Sequence, residues 1–100
     1  MNWYNKKGKI IDVEEADELL GNFKYKVVKQ TVLPNEKFVS TVWLGLDMGF
    51  NNDKPLIFET MVFPTKGEYN DLDCERYHSE KEAINGHKLM VKKWSKKEKI

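Results

Sequence analysis

Two apolar segments constrain the fold of this chain more than any other feature. Residues 39–47 read Val-Ser-Thr-Val-Trp-Leu-Gly-Leu-Asp, and residues 55–63 read Pro-Leu-Ile-Phe-Glu-Thr-Met-Val-Phe. Both segments carry apolar residues on the two faces that alternate along a strand, which is typical of strands in the middle of a sheet. The strands are predicted over Phe38–Leu46 and Leu56–Phe63, and the Gly/Asn/Asp-rich stretch 47–54 predicts the loop between them.

The neighbouring segments predict two more strands. Residues 23–33 are rich in Tyr, Val and Thr, which favour strands. The Pro-Asn-Glu-Lys sequence at 34–37 then predicts a turn, because proline presets the first corner and asparagine tolerates the second. A second turn is predicted at 64–67, and a short fourth strand at 74–77.

Two helices are predicted from their caps. Asp12 can accept hydrogen bonds from the free amides of a short helix over Val13–Leu20, and Gly21 follows its end. Ser79 and Glu82 form a capping box for a longer helix from Glu80 to about Trp94. One face of the longer helix contains an apolar stripe with a glycine that permits close packing: Ala83, Gly86, Met90, Val91 and Trp94.

Together these elements predict one α+β domain over 1–100. It consists of an antiparallel meander of three or four strands, with the C-terminal helix packed on one face and a short N-terminal helix. Residues 1–11 form an N-terminal segment with a turn at Gly8, and the lysine-rich residues 95–100 are expected to fray. A sheet covered by one helix leaves its other face bare, so we expect this face to bind a partner or to form a homodimer.

Composition narrows the function classes. The formal net charge is +1, so no global field attracts nucleic acid. The basic residues are lysines except for Arg76, which disfavours sequence-specific reading of nucleic acid. The single cysteine, Cys74, excludes an intrachain disulfide and suits a reducing compartment. No long apolar run and no signal-peptide pattern is present, so we expect a cytoplasmic protein without membrane contact.

The same segments resemble a family of small uncharacterised proteins of bacteriophages and bacterial prophages. The resemblance rests on Val-Ser-Thr-Val-Trp-Leu-Gly-Leu-Asp, Pro-Leu-Ile-Phe-Glu-Thr-Met, Arg76-Tyr77, Glu82-Ala83 and Gly86-His87, and it covers roughly residues 8–91. Relatives often carry His where this chain has Met48, so a role based on that His is not carried over. The resemblance implies a phage origin and the fold, and it implies no particular activity. For a phage protein, the predicted cytoplasmic location is that of the host cell.

Glu59 and Arg76 are the sharpest pair of candidate binding residues. Glu59 interrupts an apolar strand, where a buried carboxylate must be paired or protonated. Arg76 can make a bidentate contact that lysine cannot reproduce. We predict that the two side chains pair inside the domain or at its rim, for structure or for a ligand.

His87 and the remaining polar candidates allow several interpretations. A helical His beside Gly86 can face the sheet and meet Glu59 or Asp47 as an acid–base pair, although a structural role is the simpler interpretation. Tyr77 can join Glu59, Arg76 and His87 in a polar set that holds a small ligand. The two histidines and Cys74 lack a further ligand at metal spacing, so neither a metal nor a cofactor is expected.

Aromatic residues provide the last candidate contacts. Trp43 can stack on a partner, although core packing explains it more simply. Phe50 lies in a Gly/Asn loop, where an aromatic side chain is typical of an interface anchor.

Three functional hypotheses follow. The first is a small non-enzymatic phage protein that binds a host protein stoichiometrically, possible targets being components of a bacterial defence system. The alternative is an oligomeric sponge that sequesters a small nucleotide-like signal. The third is a small enzyme with Glu59 and His87 as acid and base.

Overall fold

The computed structural model describes residues 2–47 and 54–96 of the chain. Its elements in chain order are β1 (Trp3–Tyr4), β2 (Ile10–Ile11), α1 (Val13–Leu20), α2 (Phe23–Lys26), β3 (Val27–Val32), β4 (Phe38–Trp43), β5 (Phe58–Phe63), β6 (Asp73–Tyr77) and α3 (Glu80–Trp94). Strands β3 to β6 form one antiparallel sheet in the order β3-β4-β5-β6, and β1 pairs with β2 in a small hairpin. The predicted α+β fold, with its meander and two helices, is confirmed.

The two faces of the sheet have different surroundings. Helix α3 packs on one of them, the helix face, where it buries residues of the two central strands and of β6: Val39, Thr41, Trp43, Phe58, Thr60, Val62 and Tyr77. Because successive strand residues alternate, the opposite face carries the residues between them. We call it the open face, and it comprises Val27, Gln30, Val32, Phe38, Ser40, Val42, Glu59, Met61, Phe63, Cys74 and Arg76.

Helix α3 begins and packs as its sequence predicts. The Ser79 hydroxyl accepts a hydrogen bond from the Glu82 amide at 3.2 Å and donates one to the Glu82 carboxylate at 3.0 Å. Ala83 is fully buried and Met90 is 7% exposed, so the apolar stripe lies against the sheet. A side chain at Gly86 would occupy the same space as the phenol ring of Tyr77. The missing Cβ therefore lets α3 approach β6.

The N-terminal part contains the predicted helix and one unpredicted element. The Asp12 carboxylate accepts a hydrogen bond from the Glu15 amide at 2.8 Å, which caps α1 at the expected position. The predicted strand over 23–33 is wrong at its start, where Phe23–Lys26 forms the short helix α2. The Asn22 side chain accepts from the Tyr25 amide at 3.3 Å, and this cap supports a helical turn before the strand begins.

Strand ends and turns also differ in detail from the prediction. Strand β4 ends at Trp43, before Leu46, because Gly45 adopts a left-handed conformation with φ of +83° and turns the chain. Strand β5 begins at Phe58, two residues later than predicted. In the turn after β3 the left-handed residue is Glu36, with φ of +73°, and not Asn35.

Three predictions fall wholly or partly outside the described residues. They are most of the loop over 47–54, the position of Phe50 within it, and the end of the tail over 95–100. In the described residues, no helix combines the length and the apolar character needed to cross a membrane.

The contact between Gly86 and Tyr77 generates a stability prediction. Alanine is a better helix former than glycine by about 1 kcal/mol, but a Cβ at this position would overlap the buried phenol ring, and overpacking costs about 1–3 kcal/mol. Gly86→Ala should therefore lower the free energy of unfolding by about 1–2 kcal/mol in urea titrations. Asn85→Ala, at the exposed neighbouring position, is the control and should be neutral or slightly stabilising. Equal or higher stability of Gly86→Ala would contradict the close approach.

Candidate functional site

The open face holds the predicted pair of Glu59 and Arg76. The two residues are cross-strand partners in β5 and β6, and Arg76 Nε lies 2.9 Å from Glu59 Oε2. The Glu59 side chain is 9% exposed, whereas that of Arg76 is 38% exposed and covers it from the solvent side. The pair therefore lies at the rim of the domain. The Arg76 guanidinium remains accessible to a partner.

Cys74 completes this polar group on the open face. Its thiol lies 3.6 Å from Glu59 Oε2, as a weak donor to the carboxylate. Burial, and next the negative charge of Glu59, raise the pKa of the Cys74 thiol to about 11. The Cys74 thiol is therefore protonated near neutral pH and is a poor nucleophile.

The helix face holds His87 in a buried network of threonine hydroxyls. His87 is 1% exposed, and its Nδ1 and Nε2 lie 2.7 Å from Thr41 Oγ1 and 2.8 Å from Thr31 Oγ1. Thr41 Oγ1 in turn lies 2.5 Å from Thr60 Oγ1. Burial, followed by the charge of Lys29, lowers the pKa of His87 below its ordinary value of 6.5. The ring is therefore neutral at pH 7, with one nitrogen donating and the other accepting.

Tyr77 is the second buried polar group beneath α3. It is 9% exposed, and its hydroxyl has no hydrogen-bond partner of good geometry among the described residues. Burial raises the pKa of Tyr77, and the nearby Thr60 hydroxyl opposes this with a smaller effect. Because it lacks a well-aligned partner, the Tyr77 hydroxyl has unused hydrogen-bonding capacity. Leaving a buried hydroxyl unpaired costs free energy of folding.

The sheet separates the polar residues that the sequence suggested would converge. Glu59 and Arg76 lie on the open face, whereas Tyr77 and His87 lie beneath α3. The predicted Glu59–His87 acid–base pair is wrong, because the adjacent residues Glu59 and Thr60 point to opposite faces and His87 contacts the threonine side. The four-residue ligand set of the sponge hypothesis is divided for the same reason.

The other predicted contact residues have structural roles. Trp43 is fully buried, its Nε1 donates to the Tyr4 carbonyl at 3.0 Å, and its ring meets Tyr25 edge-on at 5.0 Å between centroids. It is therefore a core residue and offers no stacking surface. Asp47 accepts a hydrogen bond from the Leu56 amide at 2.9 Å, which ties together the two ends of the loop. Phe50 lies outside the described residues.

The threonine network is the part of the site that sequence reasoning missed. Thr41 and Thr60 occupy positions on the same face as buried valines, and each is fully buried. Polar residues at helix-facing strand positions need a hydrogen-bonding partner. His87, one residue beyond Gly86 on the apolar stripe, was the available partner. This pattern of Thr on two neighbouring strands and His on the covering helix is the signal that could have found the network.

Comparisons with known proteins add no assignment. No family model, no curated protein and no solved structure matches this chain. Among residues 2–47 and 54–96, no three His, Cys, Asp or Glu side chains gather in a group able to hold a metal ion.

The Glu59–Arg76 contact can be tested by a double-mutant cycle. Glu59→Gln and Arg76→Lys should each lower the free energy of unfolding by about 1–2 kcal/mol, because each disrupts a charge-assisted hydrogen bond at a mostly buried carboxylate. The double variant should lose less than the sum, by about 1 kcal/mol, in urea titrations. The Lys6–Glu80 pair, with 42% of the Glu80 side chain exposed, serves as control. Its cycle should show a coupling of about 0–0.5 kcal/mol. Additive losses at Glu59 and Arg76 would disprove an energetic role of their contact.

The buried neutral imidazole predicts a dependence of stability on pH. The unfolded chain binds a proton at His87 near pH 6.5, whereas the folded protein binds it only at a lower pH. The contribution of His87 to stability is therefore fully present above pH 6.5 and is lost as pH falls from that value to the lower folded-state pKa. Urea titrations over this window should show the decline, and His87→Gln, although less stable at every pH, should show a smaller one. An equal pH slope in both proteins would refute a buried neutral His87.

Proposed function

We propose that this protein is a non-enzymatic binding protein that acts by stoichiometric contact of its open face with a partner protein. The observation that supports this proposal is the composition of that face. It combines apolar side chains, among them Met61, Phe63 and the 58%-exposed Val32, with the partly exposed guanidinium of Arg76. Apolar contact area around an arginine anchor is typical of protein interfaces.

The placement of the acid–base groups also favours binding over catalysis. His87 uses both ring nitrogens within the fold, and Glu59 is held by Arg76 and Cys74. A general base must reach the proton it abstracts within hydrogen-bond distance, or through one water. Beneath α3, the imidazole is closed to a substrate.

The partner and its setting come from the resemblance to phage and prophage proteins. A phage protein of this size that binds a protein partner would act in the cytoplasm of the infected cell, and the partner would be a host factor. Within that setting, we propose a component of a bacterial defence system as the partner class.

A matched pair of substitutions tests the binding surface. Val32 is 58% exposed on the open face, and Val13 is 70% exposed at the start of α1, away from that face. When immobilised protein is incubated with host lysate, the wild type and Val13→Glu should retain one host protein at an equal molar ratio. Val32→Glu should retain roughly tenfold less, since a buried unpaired charge is costly. Retention of the same protein by Val32→Glu at the wild-type level would refute the open face as the contact surface.

In the absence of its partner, we propose that the open face pairs with a second copy in a two-fold homodimer. Closed two-fold pairing is the commonest way in which proteins cover an apolar patch. Light scattering should report a dimer at roughly tens of micromolar for the wild type and for Val13→Glu, and a monomer for Val32→Glu. A wild-type monomer under these conditions would contradict the dimer without contradicting the partner contact.

A further inference from the structure

A groove of about 260 Å³ runs between β6 and α3, on the side of the molecule away from the open face. Its floor is formed by Tyr77, Gly86 and Met90, and Leu89 stands at its rim with 67% of its surface exposed. An apolar floor with an exposed aliphatic rim is suited to one apolar side chain of a ligand.

The groove lies beside a free sheet edge. In the order β3-β4-β5-β6, the strand β6 has a hydrogen-bonded neighbour on one side only within the described part of the chain. The Cys74 amide already donates to the Asp73 carboxylate at 2.9 Å. The other backbone groups that point away from β5 are available to a further strand. An edge strand next to a helix is the geometry that domains use when they bind an extended peptide by strand addition.

The two carboxylates that line the groove, Asp73 and Glu75, differ in their partners. Asp73 accepts from Lys93 Nζ at 2.7 Å and from Trp94 Nε1 at 2.9 Å, and it also accepts from the Cys74 amide at 2.9 Å. Its carboxylate is therefore satisfied by the fold. Glu75, in the middle of β6, is exposed and forms no ion pair with any described residue. The groove thus presents one uncompensated negative charge beside its apolar floor.

The Tyr77 hydroxyl adds an unused hydrogen-bonding group to the same wall. It is buried against Gly86, and no described residue meets it with good hydrogen-bond geometry. A polar group left unsatisfied in the free protein is a group that a ligand or a small rearrangement can satisfy.

We propose that the groove between β6 and α3 binds an extended segment of a protein, which adds as a strand to the edge of β6. The segment inserts an apolar side chain over Gly86 and Met90, against Leu89. It places a Lys or Arg opposite Glu75, because this carboxylate has no cation of its own. The proposal stands on β6 and α3 and is independent of the contacts of the open face.

Selection of random linear peptides displayed on phage particles against the immobilised full-length protein tests the proposal. The enriched peptides should share an apolar residue with a basic residue close to it in sequence. In nuclear magnetic resonance titrations with a synthetic version, the amide signals of Cys74–Tyr77 and Gly86–Lys93 should shift most. Methylation of the peptide amides that pair with β6 should weaken binding, since strand addition needs those donors. Methylation of the alternate amides, which point away from β6, should have a smaller effect.

Substitutions within and outside the groove sharpen the test. Leu89→Asp should weaken binding of the synthetic peptide about tenfold or more, because it places a charge at the apolar rim. Ile84→Asp, at a 38%-exposed position of α3 outside the groove lining, should bind as the wild type does. Glu75→Lys should weaken binding of the basic peptide about threefold to tenfold. A peptide in which the basic residue is replaced by Glu should bind this variant as tightly as the basic peptide binds the wild type. Circular dichroism melts confirm that each variant is folded.

The outcomes separate this proposal from the proposed function. Peptides whose shifts fall on β4 and β5 and not on Gly86–Lys93, or whose binding is equal in Leu89→Asp and the wild type, would overturn the groove and leave the open-face interaction standing. Concentration-dependent shifts of Gly86–Lys93 without any peptide would mean that a second copy occupies the groove, which also overturns the proposal. Failure to enrich any peptide would overturn it as well, and the lysate experiment with Val32→Glu would be unaffected.

Discussion

The imidazole of His87 fixes the position of α3 on the sheet. Apolar contacts alone allow a helix to slide over a sheet at modest cost, because they have no direction. A buried ring with both nitrogens in hydrogen bonds to Thr31 and Thr41 permits one placement, since any shift leaves polar groups unpaired beneath the helix. The close approach of Gly86 to Tyr77 and the burial of Ala83 follow from that placement. The groove beside β6 has its width for the same reason.

The sheet also divides the polar chemistry of the molecule into two compartments. Glu59 and Thr60 are neighbours in sequence, yet one faces the guanidinium of Arg76 and the other faces the threonine and histidine network. A slip of one residue in the register of β5 would exchange the two and bury an unpaired carboxylate beneath α3. The polar residues at these positions therefore specify the register as strongly as the apolar ones do. They provide two separate polar groups and no common ligand site.

Much of the fold could be predicted because its signals are local. Asp12 and Ser79 mark the starts of α1 and α3, and both caps form as their sequences indicate. Apolar residues on both faces of the segments 38–46 and 56–63 predicted central strands, and β4 and β5 lie in the middle of the sheet. The start of α2 was missed because Asn22 caps a helical turn in a segment whose Tyr and Val content favours a strand, and a cap overrides a weak propensity.

The site was predictable only in part, for a different reason. Glu59 and Arg76 were paired correctly because β5 and β6 are consecutive strands, so their partners are constrained by sequence order. The partners of His87 lie on β3 and β4, far away in sequence, and depend on how α3 is oriented over the sheet. No local sequence pattern specifies how α3 is oriented over the sheet. The same limitation applies to the groove, which exists only where the edge strand and the last helix come together.

Gly45 has a consequence for how the protein can be observed. The rings of Trp3 and Trp43 both lie where a side chain at this glycine would project, and the Tyr4 amide donates to the Gly45 carbonyl at 2.8 Å. Two of the three tryptophans of the chain therefore share one contact, which joins the N-terminal hairpin to the end of β4. Detachment of the hairpin would open Trp43 to water and shift its emission to longer wavelengths while the sheet stays intact. Intrinsic fluorescence is thus a built-in optical readout of whether the first strands are docked.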